Sequence, residues 1–238
     1  MRVAVVGHGR MGHEVEEVLI ERGHEPVVVA ARAEFPRLCP VGIDFTRADQ
    51  VLANVRRAME AGARYVVGTT GWDSSMAEVR ELVEAHRGAL VHAANFSLGV
   101  NLFYKVVRDA AALFARFGEY DPYVFERHHR LKKDAPSGTA RELAHILESA
   151  YGDRRAQPEL HGALEPGRFH VGALRAGGIV GEHTVGFDSG GDEVLLEHRA
   201  RTRKGFALGA VLAAEWIADR NDGVTAFQDA LDDIAQGG

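Results

Sequence analysis

The chain has 238 residues, of which 46% are hydrophobic and 26% charged, and its formal net charge is −6. This composition is that of an ordinary globular protein and argues against a disordered chain, a coiled coil or a fibrous repeat. The negative charge argues against broad binding to nucleic acid or an anionic membrane, because either partner requires a basic face, so any anion-binding site must be local.

Cysteine content and the N-terminal segment favour an intracellular protein without a metal. Cys39 is the single cysteine, so the chain forms no intramolecular disulfide and lacks the cysteine cluster of a zinc site. The first apolar run, Val3 to Val6, is too short for a signal peptide or a membrane span. We therefore expect a cytoplasmic location.

The first 96 residues alternate short apolar runs with amphipathic segments. The apolar runs are typical of buried parallel strands, and the segments between them carry apolar residues three and four apart, as crossover helices do. Strands are predicted at 3–6, 27–31, 42–45, 65–67 and 90–93, and helices at 12–22, 48–61 and 74–86. This α/β pattern predicts a Rossmann-type, doubly wound parallel sheet.

The periodicity changes near Ser97, where we expect a second, α+β domain with a mixed sheet. Residues 101–117 predict a helix with Leu102, Phe103, Val106, Val107, Ala110, Leu113 and Phe114 on one stripe. Strands are predicted at 123–126, 169–173, 183–187 and 193–200, and a further helix at 206–218. The expected domains are residues 1–96, completed by 204–238, and residues 97–203.

A glycine-rich loop follows the first predicted strand and opens the first predicted helix. Its sequence, Gly7-His8-Gly9-Arg10-Met11-Gly12, matches the G-x-G-x-x-G pattern. Glycine permits a tight turn and close backbone approach, and the helix N-terminus offers N–H groups and a positive dipole end to a pyrophosphate. The loop predicts a dinucleotide site, although the same glycines would also serve a strand-to-helix turn that binds nothing.

The end of the second predicted strand indicates which dinucleotide binds. An acidic residue there accepts hydrogen bonds from a ribose 2'-hydroxyl, whereas an arginine meets a 2'-phosphate. The position holds Arg32, preceded by Ala30 and Ala31. The sequence therefore favours NADPH and leaves NADH use open, because surface arginines also occur without a ligand.

Three further loops follow predicted parallel strands. Ligands of open parallel sheets bind at the carboxyl ends of the strands, so small and hydroxyl-bearing residues there are placed to border the nicotinamide. Each loop alone would also suit ordinary turn chemistry. The three loops are Asp44-Phe45-Thr46-Arg47, Gly68-Thr69-Thr70-Gly71 and Ala93-Ala94-Asn95-Phe96.

A basic segment leads into a predicted helix in the second domain. From Arg127 to Lys133 every residue except Leu131 is basic or histidine. A turn sequence at 134–138 follows, and the run from Thr139 to Glu142 matches a capping box. Lysine charge, hydroxyls and helix N-terminal N–H groups in one place suit a carboxylate or a phosphate.

The histidines in this segment add a group that exchanges a proton near neutral pH. His128 and His129 are adjacent and would point apart in an extended segment, so only one of them needs to face a ligand. A reducible substrate that carries carboxylates would use all of these parts.

The segment from Glu126 to Ala140 resembles the signature of the dihydrodipicolinate (hydroxy-tetrahydrodipicolinate) reductase family. Four other segments are similar to motifs of that family, so the resemblance covers most of the chain. They are Ile43-Asp44-Phe45-Thr46, Gly68-Thr69-Thr70-Gly71, the run 94–101 and the run 175–184.

The resemblance implies an NAD(P)H-dependent oxidoreductase that reduces hydroxy-tetrahydrodipicolinate to tetrahydrodipicolinate in the diaminopimelate route to lysine. It implies a homotetramer in which the second domain binds the cyclic dicarboxylate substrate and supplies the subunit contacts. His128 would donate the proton and Lys132 would be the second catalytic residue. The substrate carboxylates would be held by His129, Ser137, Gly138 and Thr139. The cofactor would be contacted by Gly7, Arg10, Met11, Gly12, Arg32, Phe45, Thr46, Arg47, Gly68, Thr70, Ala94, Phe96 and Arg203.

The chain departs from the family pattern at the cofactor end. Many members carry an acidic residue just before the position of Arg32, where this chain has Ala31. Loss of a carboxylate that would hold the ribose hydroxyls supports the preference for NADPH.

Two other functions remain as alternatives. An amino-acid dehydrogenase with a similar two-domain frame would lack the segment of paired histidines, lysine and Pro-Ser-Gly-Thr. A non-catalytic dinucleotide sensor would need the glycine loop but would have no use for a proton donor beside a carboxylate site.

Overall fold

The computed structural model describes residues 1–30 and 33–237 of the chain. Eleven strands occur in these residues: β1 (Arg2–Val6), β2 (Glu25–Val29), β3 (Val41–Asp44), β4 (Arg64–Val67), β5 (Ala89–His92), β6 (Asp121–His128), β7 (Arg155–Gln157), β8 (Arg168–Arg175), β9 (Glu182–Asp188), β10 (Glu193–Arg199) and β11 (Gly223–Ala226). Seven α-helices occur in the same residues: α1 (Arg10–Glu21), α2 (Val51–Glu60), α3 (Met76–Ala85), α4 (Leu98–Phe114), α5 (Gly138–Tyr151), α6 (Lys204–Ile217) and α7 (Phe227–Ala235).

The chain divides into two compact units. The first consists of Met1–Leu98 and Arg203–Gly238, and the second of Gly99–Thr202. None of the helices in the described residues is long and apolar enough to cross a membrane.

The first unit contains a six-stranded sheet in the order β11-β5-β4-β3-β1-β2, with every neighbouring pair parallel. Alternate side chains of each strand point to opposite faces, so Val3 and Val5 join one core while Ala4 and Val6 join another. Helices α1, α6 and α7 cover the first face, and α2 and α3 cover the second. The Rossmann-type arrangement expected from the sequence is therefore confirmed.

The second unit contains a five-stranded mixed sheet in the order β10-β9-β6-β8-β7. The central strand β6 runs parallel to β8 and antiparallel to β9. Helices α4 and α5 pack on one face of this sheet, around Val124, Phe169 and Phe187. The predicted α+β fold of the second domain is thus confirmed.

Helix α4 differs from its prediction in both bounds and buried face. It begins at Leu98 and ends at Phe114 instead of spanning 101–117. The side chains of Leu102, Val106 and Leu113 are 43%, 53% and 55% exposed, so their assignment to the core stripe was wrong. The buried stripe consists of Val100, Asn101, Phe103, Tyr104, Val107 and Ala111. Apolar residues occupy so much of this segment that more than one stripe fits the sequence, and packing on the sheet selects one.

Three short elements were missed from the sequence. Strand β7 is three largely polar residues, strand β11 has only four residues, and helix α7 directly follows β11 without a turn signal between them. Short strands at a sheet edge are stabilised by hydrogen bonds to a strand distant in sequence, so their own residues show little of the hydrophobic pattern from which strands are predicted. Strand β2 ends at Val29, before the predicted end at Ala31, which lies outside the described residues.

Close packing of α6 on the segment after β5 can be tested at one glycine. A Cβ atom on Gly209 would overlap the backbone carbonyl oxygen of Phe96, which cannot move aside without shifting the main chain. We expect Gly209→Ala to lower the free energy of unfolding by about 1–3 kcal/mol, the usual cost of overpacking. Gly205→Ala is the matched control in the same helix, since its Cβ would meet only Ser97 Oγ, at 3.6 Å. Urea denaturation measures both variants, and equal losses of stability would contradict this packing.

Candidate active site

The parallel sheet of the first unit brings four loops to one edge. Strands β1, β3, β4 and β5 are neighbours that run in the same direction, so the loops after their carboxyl ends share that edge. Strand β2 lies on one side of β1 and β3 on the other, and the chain reverses its winding direction between β1 and β3. Open α/β sheets bind ligands at such a switch point.

The glycine loop after β1 is compact and leaves an open cradle. Gly7 has a φ of +83°, and a Cβ there would come within 2.7 Å of Thr46 Cγ2. A Cβ on Gly12 would overlap the carbonyl oxygen of Gly7, so this glycine lets α1 approach the loop. By contrast, a Cβ on Gly9, the residue before α1, would meet no atom within 4 Å. The open space at the start of α1 suits a pyrophosphate.

Asp44, at the end of β3, holds the neighbouring loop in place. Its carboxylate is fully buried and accepts hydrogen bonds from Thr46 N at 2.7 Å and Thr46 Oγ1 at 2.6 Å. It also accepts bonds from Asn54 Nδ2 at 2.8 Å and from the hydroxyl of Tyr65 at 3.1 Å. These bonds offset the desolvation of the charge and fix the main chain that follows β3.

The predicted cofactor residues that the structure describes all lie in the first unit, mostly at this edge. Arg10, Arg47, Thr70, Ala94 and Arg203 are exposed, whereas Gly7, Met11, Phe45, Thr46 and Gly68 are half-buried. Gly12 is buried, and so is Phe96, whose ring packs 4.7 Å from that of Phe227 in the core. Arg203 is the residue before α6. Arg32 lies outside the described residues, so its predicted contact with a 2'-phosphate remains a prediction.

The second unit buries a carboxylate and two imidazoles on one face of its sheet. Strand β6 alternates between exposed or half-buried and buried residues, which places Glu126 and His128 on the buried face. Strand β9 pairs His183 directly with Glu126, and β10 pairs His198 with His183. Arg175 is paired with His128 on the other neighbouring strand, β8.

Glu126 is the fully buried centre of this group. Its Oε1 accepts hydrogen bonds from Arg175 Nη2 at 2.7 Å and from the backbone N of Ser137 at 2.9 Å. Its Oε2 lies 3.5 Å from His128 Nδ1 and 3.6 Å from His183 Nε2. Burial opposes ionisation, but the interaction with His183 and the hydrogen bonds from Ser137 and Arg175 outweigh it and lower the pKa of Glu126 to about 2. The carboxylate is therefore ionised at neutral pH.

His128, the predicted proton donor, is 7% exposed. Burial lowers its pKa to about 4; Glu126 acts against this shift, while His183, Lys132 and Arg175 add to it. The unliganded ring is therefore neutral near pH 7. Gly181 lies against the ring, since a Cβ there would come within 3.2 Å of His128 Nε2.

Two basic side chains at the end of β6 and in the loop that follows it already form ion pairs, which the sequence did not indicate. Lys132 Nζ donates to Asp134 Oδ1 at 2.7 Å, which lowers the pKa of Asp134. Arg127 is paired with Glu182 at 2.6 Å. Lys132 and His129 are both half-buried, and the backbone N of Lys132 donates to the carbonyl oxygen of His129 at 3.1 Å.

Helix α5 begins at Gly138, and its N-terminal cap is Ser137. The Ser137 side chain accepts a hydrogen bond from Ala140 N at 3.1 Å, so the capping box predicted at Thr139 was wrong. Thr139 lies inside the first turn because the extended backbone of Ser137 precedes it. Gly138 is exposed, and a Cβ there would meet only Arg141 Nη2, at 3.9 Å, which leaves room for a ligand at the helix N-terminus.

Sequence reasoning assigned no role to Glu126, Arg175, His183 or Asp44, although all four lie within segments similar to family motifs. For Glu126 and His183 the alternation of the predicted strands carried a signal: each shares a strand face with apolar residues, and a charged residue or histidine on such a face needs partners. His198 shows the same pattern, since it shares a face with Val194 and Leu196. Arg175 lies beyond the predicted strand and Asp44 ends a continuous apolar run, so alternation does not indicate either of them.

Two groups in the described part of the chain bring histidine and carboxylate atoms within 4.8 Å of one another: His8, His13 and Glu16, and Glu126, His128 and His183. His8 Nε2 and Glu16 Oε2 lie 2.6 Å apart, and Glu126 is already bound by Arg175 and Ser137. These contacts account for both groups, and we assign neither as a metal site.

A glycine loop of the dinucleotide-binding type, found in the first unit, and a buried histidine followed by a basic loop, found in the second, are each typical of nicotinamide-dependent oxidoreductases. Comparison with known proteins identifies the family of this chain. The family description "Dihydrodipicolinate reductase, C-terminus" matches residues 99–231, and "Dihydrodipicolinate reductase, N-terminus" matches residues 24–96. The chain therefore belongs to the dihydrodipicolinate reductase family, whose reaction lies on the diaminopimelate route to lysine.

Similar proteins support this membership over nearly the full length. A 4-hydroxy-tetrahydrodipicolinate reductase of Christiangramia forsetii is 35% identical over 240 residues, which cover 98% of this chain and 99% of the relative. One of Methanocaldococcus jannaschii is 35% identical over 237 residues, which cover 95% and 85%. A dipicolinate-bound dihydrodipicolinate reductase from Paenisporosarcina sp. TG-14 has the same fold, with a TM-score of 0.75 at 22% identity over 96% of this chain and 98% of that one. The family and reaction class expected from the sequence are thus confirmed.

Proposed function

We propose that this chain reduces 4-hydroxy-tetrahydrodipicolinate to tetrahydrodipicolinate with NADPH, and that His128 supplies the proton. The observation that carries the proposal is the buried His128 on β6, whose strand runs into a loop with Lys132 and then into the N-terminus of α5. Similar proteins named for this reaction, and a structurally similar reductase solved with dipicolinate, support a cyclic dicarboxylate as the substrate.

The first unit would hold the cofactor at its loop edge. The glycine loop from Gly7 to Gly12 and the start of α1 would bind the pyrophosphate, because glycines permit close approach of the backbone and a helix N-terminus offers backbone N–H groups to an anion. The loops after β3, β4 and β5 would border the nicotinamide, which supplies a hydride when bound. Arg203 is the proposed contact from the late segment, and Arg32 the proposed partner of a 2'-phosphate.

The second unit would hold the two carboxylates of the substrate. Lys132 and His129 offer charge and hydrogen bonds, and Gly138 and Thr139 lie in the first turn of α5, where a helix presents backbone N–H groups. Ser137 would contribute mainly by capping this turn, since its side chain already accepts from Ala140 N and its backbone N already donates to Glu126.

The proton would pass from His128 Nε2 to the substrate. His128 is neutral in the unliganded protein, and the two carboxylates of the substrate add negative charge that favours the protonated ring. Substrate binding would therefore raise the pKa of His128 and favour the protonated imidazole that donates the proton.

Two further properties belong to the same proposal. A homotetramer with contacts through the second unit is supported by Phe125, Leu174 and Leu195, which are 36%, 39% and 46% exposed on its strands. A cytoplasmic location is supported by the use of a reduced nicotinamide cofactor and by the single buried cysteine, Cys39.

The reaction and the proton donor are tested together. The substrate is generated in situ by condensing pyruvate with aspartate semialdehyde, and NADPH oxidation is followed by absorbance. We expect turnover by the wild type and a loss of roughly two to four orders of magnitude in His128→Gln, the usual effect of removing a general acid. His161→Gln, which changes a histidine that is 86% exposed, is the matched control and should retain full activity. If the wild type does not oxidise NADPH, the proposed function is wrong. A near-normal rate in His128→Gln would show that another residue donates the proton.

Cofactor preference is tested at Arg32 with the variant Arg32→Ala. Removing a charged partner of the 2'-phosphate should weaken NADPH binding roughly tenfold to a hundredfold and leave NADH nearly unchanged. Arg37→Ala is the control, because Arg37 lies in the same connection between β2 and β3. Calorimetry measures the dissociation constants of wild type and variants for NADPH and NADH. Equal weakening of NADPH and NADH binding would show that Arg32 does not contact the 2'-phosphate.

A further inference from the structure

Glu126 is a fully buried, charged side chain beside the proposed proton donor, His128. Withdrawing a carboxylate from water is unfavourable unless donors surround it, and here Arg175 and the backbone N of Ser137 both donate to Oε1. That arrangement ties β6, β8 and the start of α5 to one carboxylate. It leaves Oε2 for the imidazoles.

The second oxygen lies between two rings. Oε2 is 3.5 Å from His128 Nδ1 and 3.6 Å from His183 Nε2, and the two rings meet edge to face with centroids 5.1 Å apart. Glu126 Oε2 and His128 Nδ1 are both buried, and within the described residues neither atom has a hydrogen-bond partner, so each can satisfy the other once the ring is suitably protonated. A carboxylate only accepts, so its one suitable arrangement with a neutral His128 places the proton on Nδ1.

Nε2 is then the nitrogen left to exchange a proton. Gly181 lies beside it, and a Cβ on this residue would come within 3.2 Å of Nε2, so any larger side chain at position 181 would crowd this atom. Glycine therefore places no side-chain atom against Nε2 from this position.

We propose that Glu126 is a positioning residue, which fixes the Nδ1–H tautomer of His128 and, through Ser137 N, the first turn of α5. This inference rests on the proposed function, since it assigns the geometry by which His128 would deliver a proton to a substrate held at α5.

The charges around His128 agree in sign with this role. The titratable or charged groups that face it are Glu126 on β6, His183 on β9, Arg175 on β8 and Lys132 in the following loop, with His198 on β10 next to His183. Of these, Glu126 favours the protonated imidazole, whereas His183, Lys132 and Arg175 oppose it. Loss of the Glu126 charge should therefore lower the pKa of His128, and loss of His183 should raise it.

The first test does not depend on turnover. Nitrogen-15 NMR of the imidazoles in the unliganded wild type should show neutral His128 protonated at Nδ1. In Glu126→Gln the fraction protonated at Nε2 should increase. Glu182→Gln is the control of equal charge change, because Glu182 pairs with Arg127 instead. A wild-type ring protonated at Nε2 would overturn the proposal.

The second test separates positioning from a merely structural role. The limb of the kcat/KM profile that requires protonated His128 should move to lower pH by about one pH unit in Glu126→Gln, which reduces kcat/KM at neutral pH about tenfold. His183→Gln should move the same limb to higher pH, so the proposal stays testable if Glu126→Gln does not fold. A lower rate with an unmoved limb in both variants would show a structural role only. An inactive wild type would refute the proposed function, while the NMR result would still decide the tautomer.

Discussion

The ionised carboxylate of Glu126 is the constraint around which the second unit is arranged. It is withdrawn from solvent, and it stays charged because an arginine and a backbone N–H donate to it directly while two imidazoles lie against its other oxygen. These partners come from different places in the chain: β6, β8, β9 and the cap of α5. Removing one partner would leave a buried charge without its compensating donor, so the four elements are held in mutual register.

Asp44 plays the corresponding part in the first unit. It is fully buried at the carboxyl end of β3, and its hydrogen bonds from Thr46, Asn54 and Tyr65 fix the loop beside the glycine cradle. Both units therefore use a buried acid on a strand to hold main chain that faces a candidate ligand site. Such acids cannot be replaced by apolar residues without freeing the loop or helix terminus that they bind.

Sequence patterns predicted the fold well because its main signals are local. Continuous apolar runs separated by amphipathic helices specify a parallel sheet, and Gly7, Gly9 and Gly12 specify the turn between β1 and α1. The missed elements carry no such signal, since β7 and β11 are short and depend on neighbours distant in sequence. The stripe assigned to α4 was wrong because Leu102, Val106 and Leu113 are apolar yet exposed, and only packing on the sheet separates the two faces.

The sequence indicated which segments form the candidate site but not the contacts within it. The salt bridge between Lys132 and Asp134 and the capping of α5 by Ser137 both depend on the folded loop. The partnership of Glu126 with Arg175 and His183 joins residues 49 and 57 positions apart, so no local pattern indicates it.

In the proposed mechanism, α5 and the basic loop hold the substrate's carboxylates while His128, oriented by Glu126, faces the substrate ring. A crystal structure of the protein with dipicolinate and a nicotinamide cofactor tests it most directly. We predict a dipicolinate carboxylate within hydrogen-bond distance of the first turn of α5 and of Lys132, with His128 Nε2 turned towards the ligand and Nδ1 towards Glu126. Dipicolinate bound away from α5, or a His128 ring with Nδ1 turned away from Glu126, would contradict it.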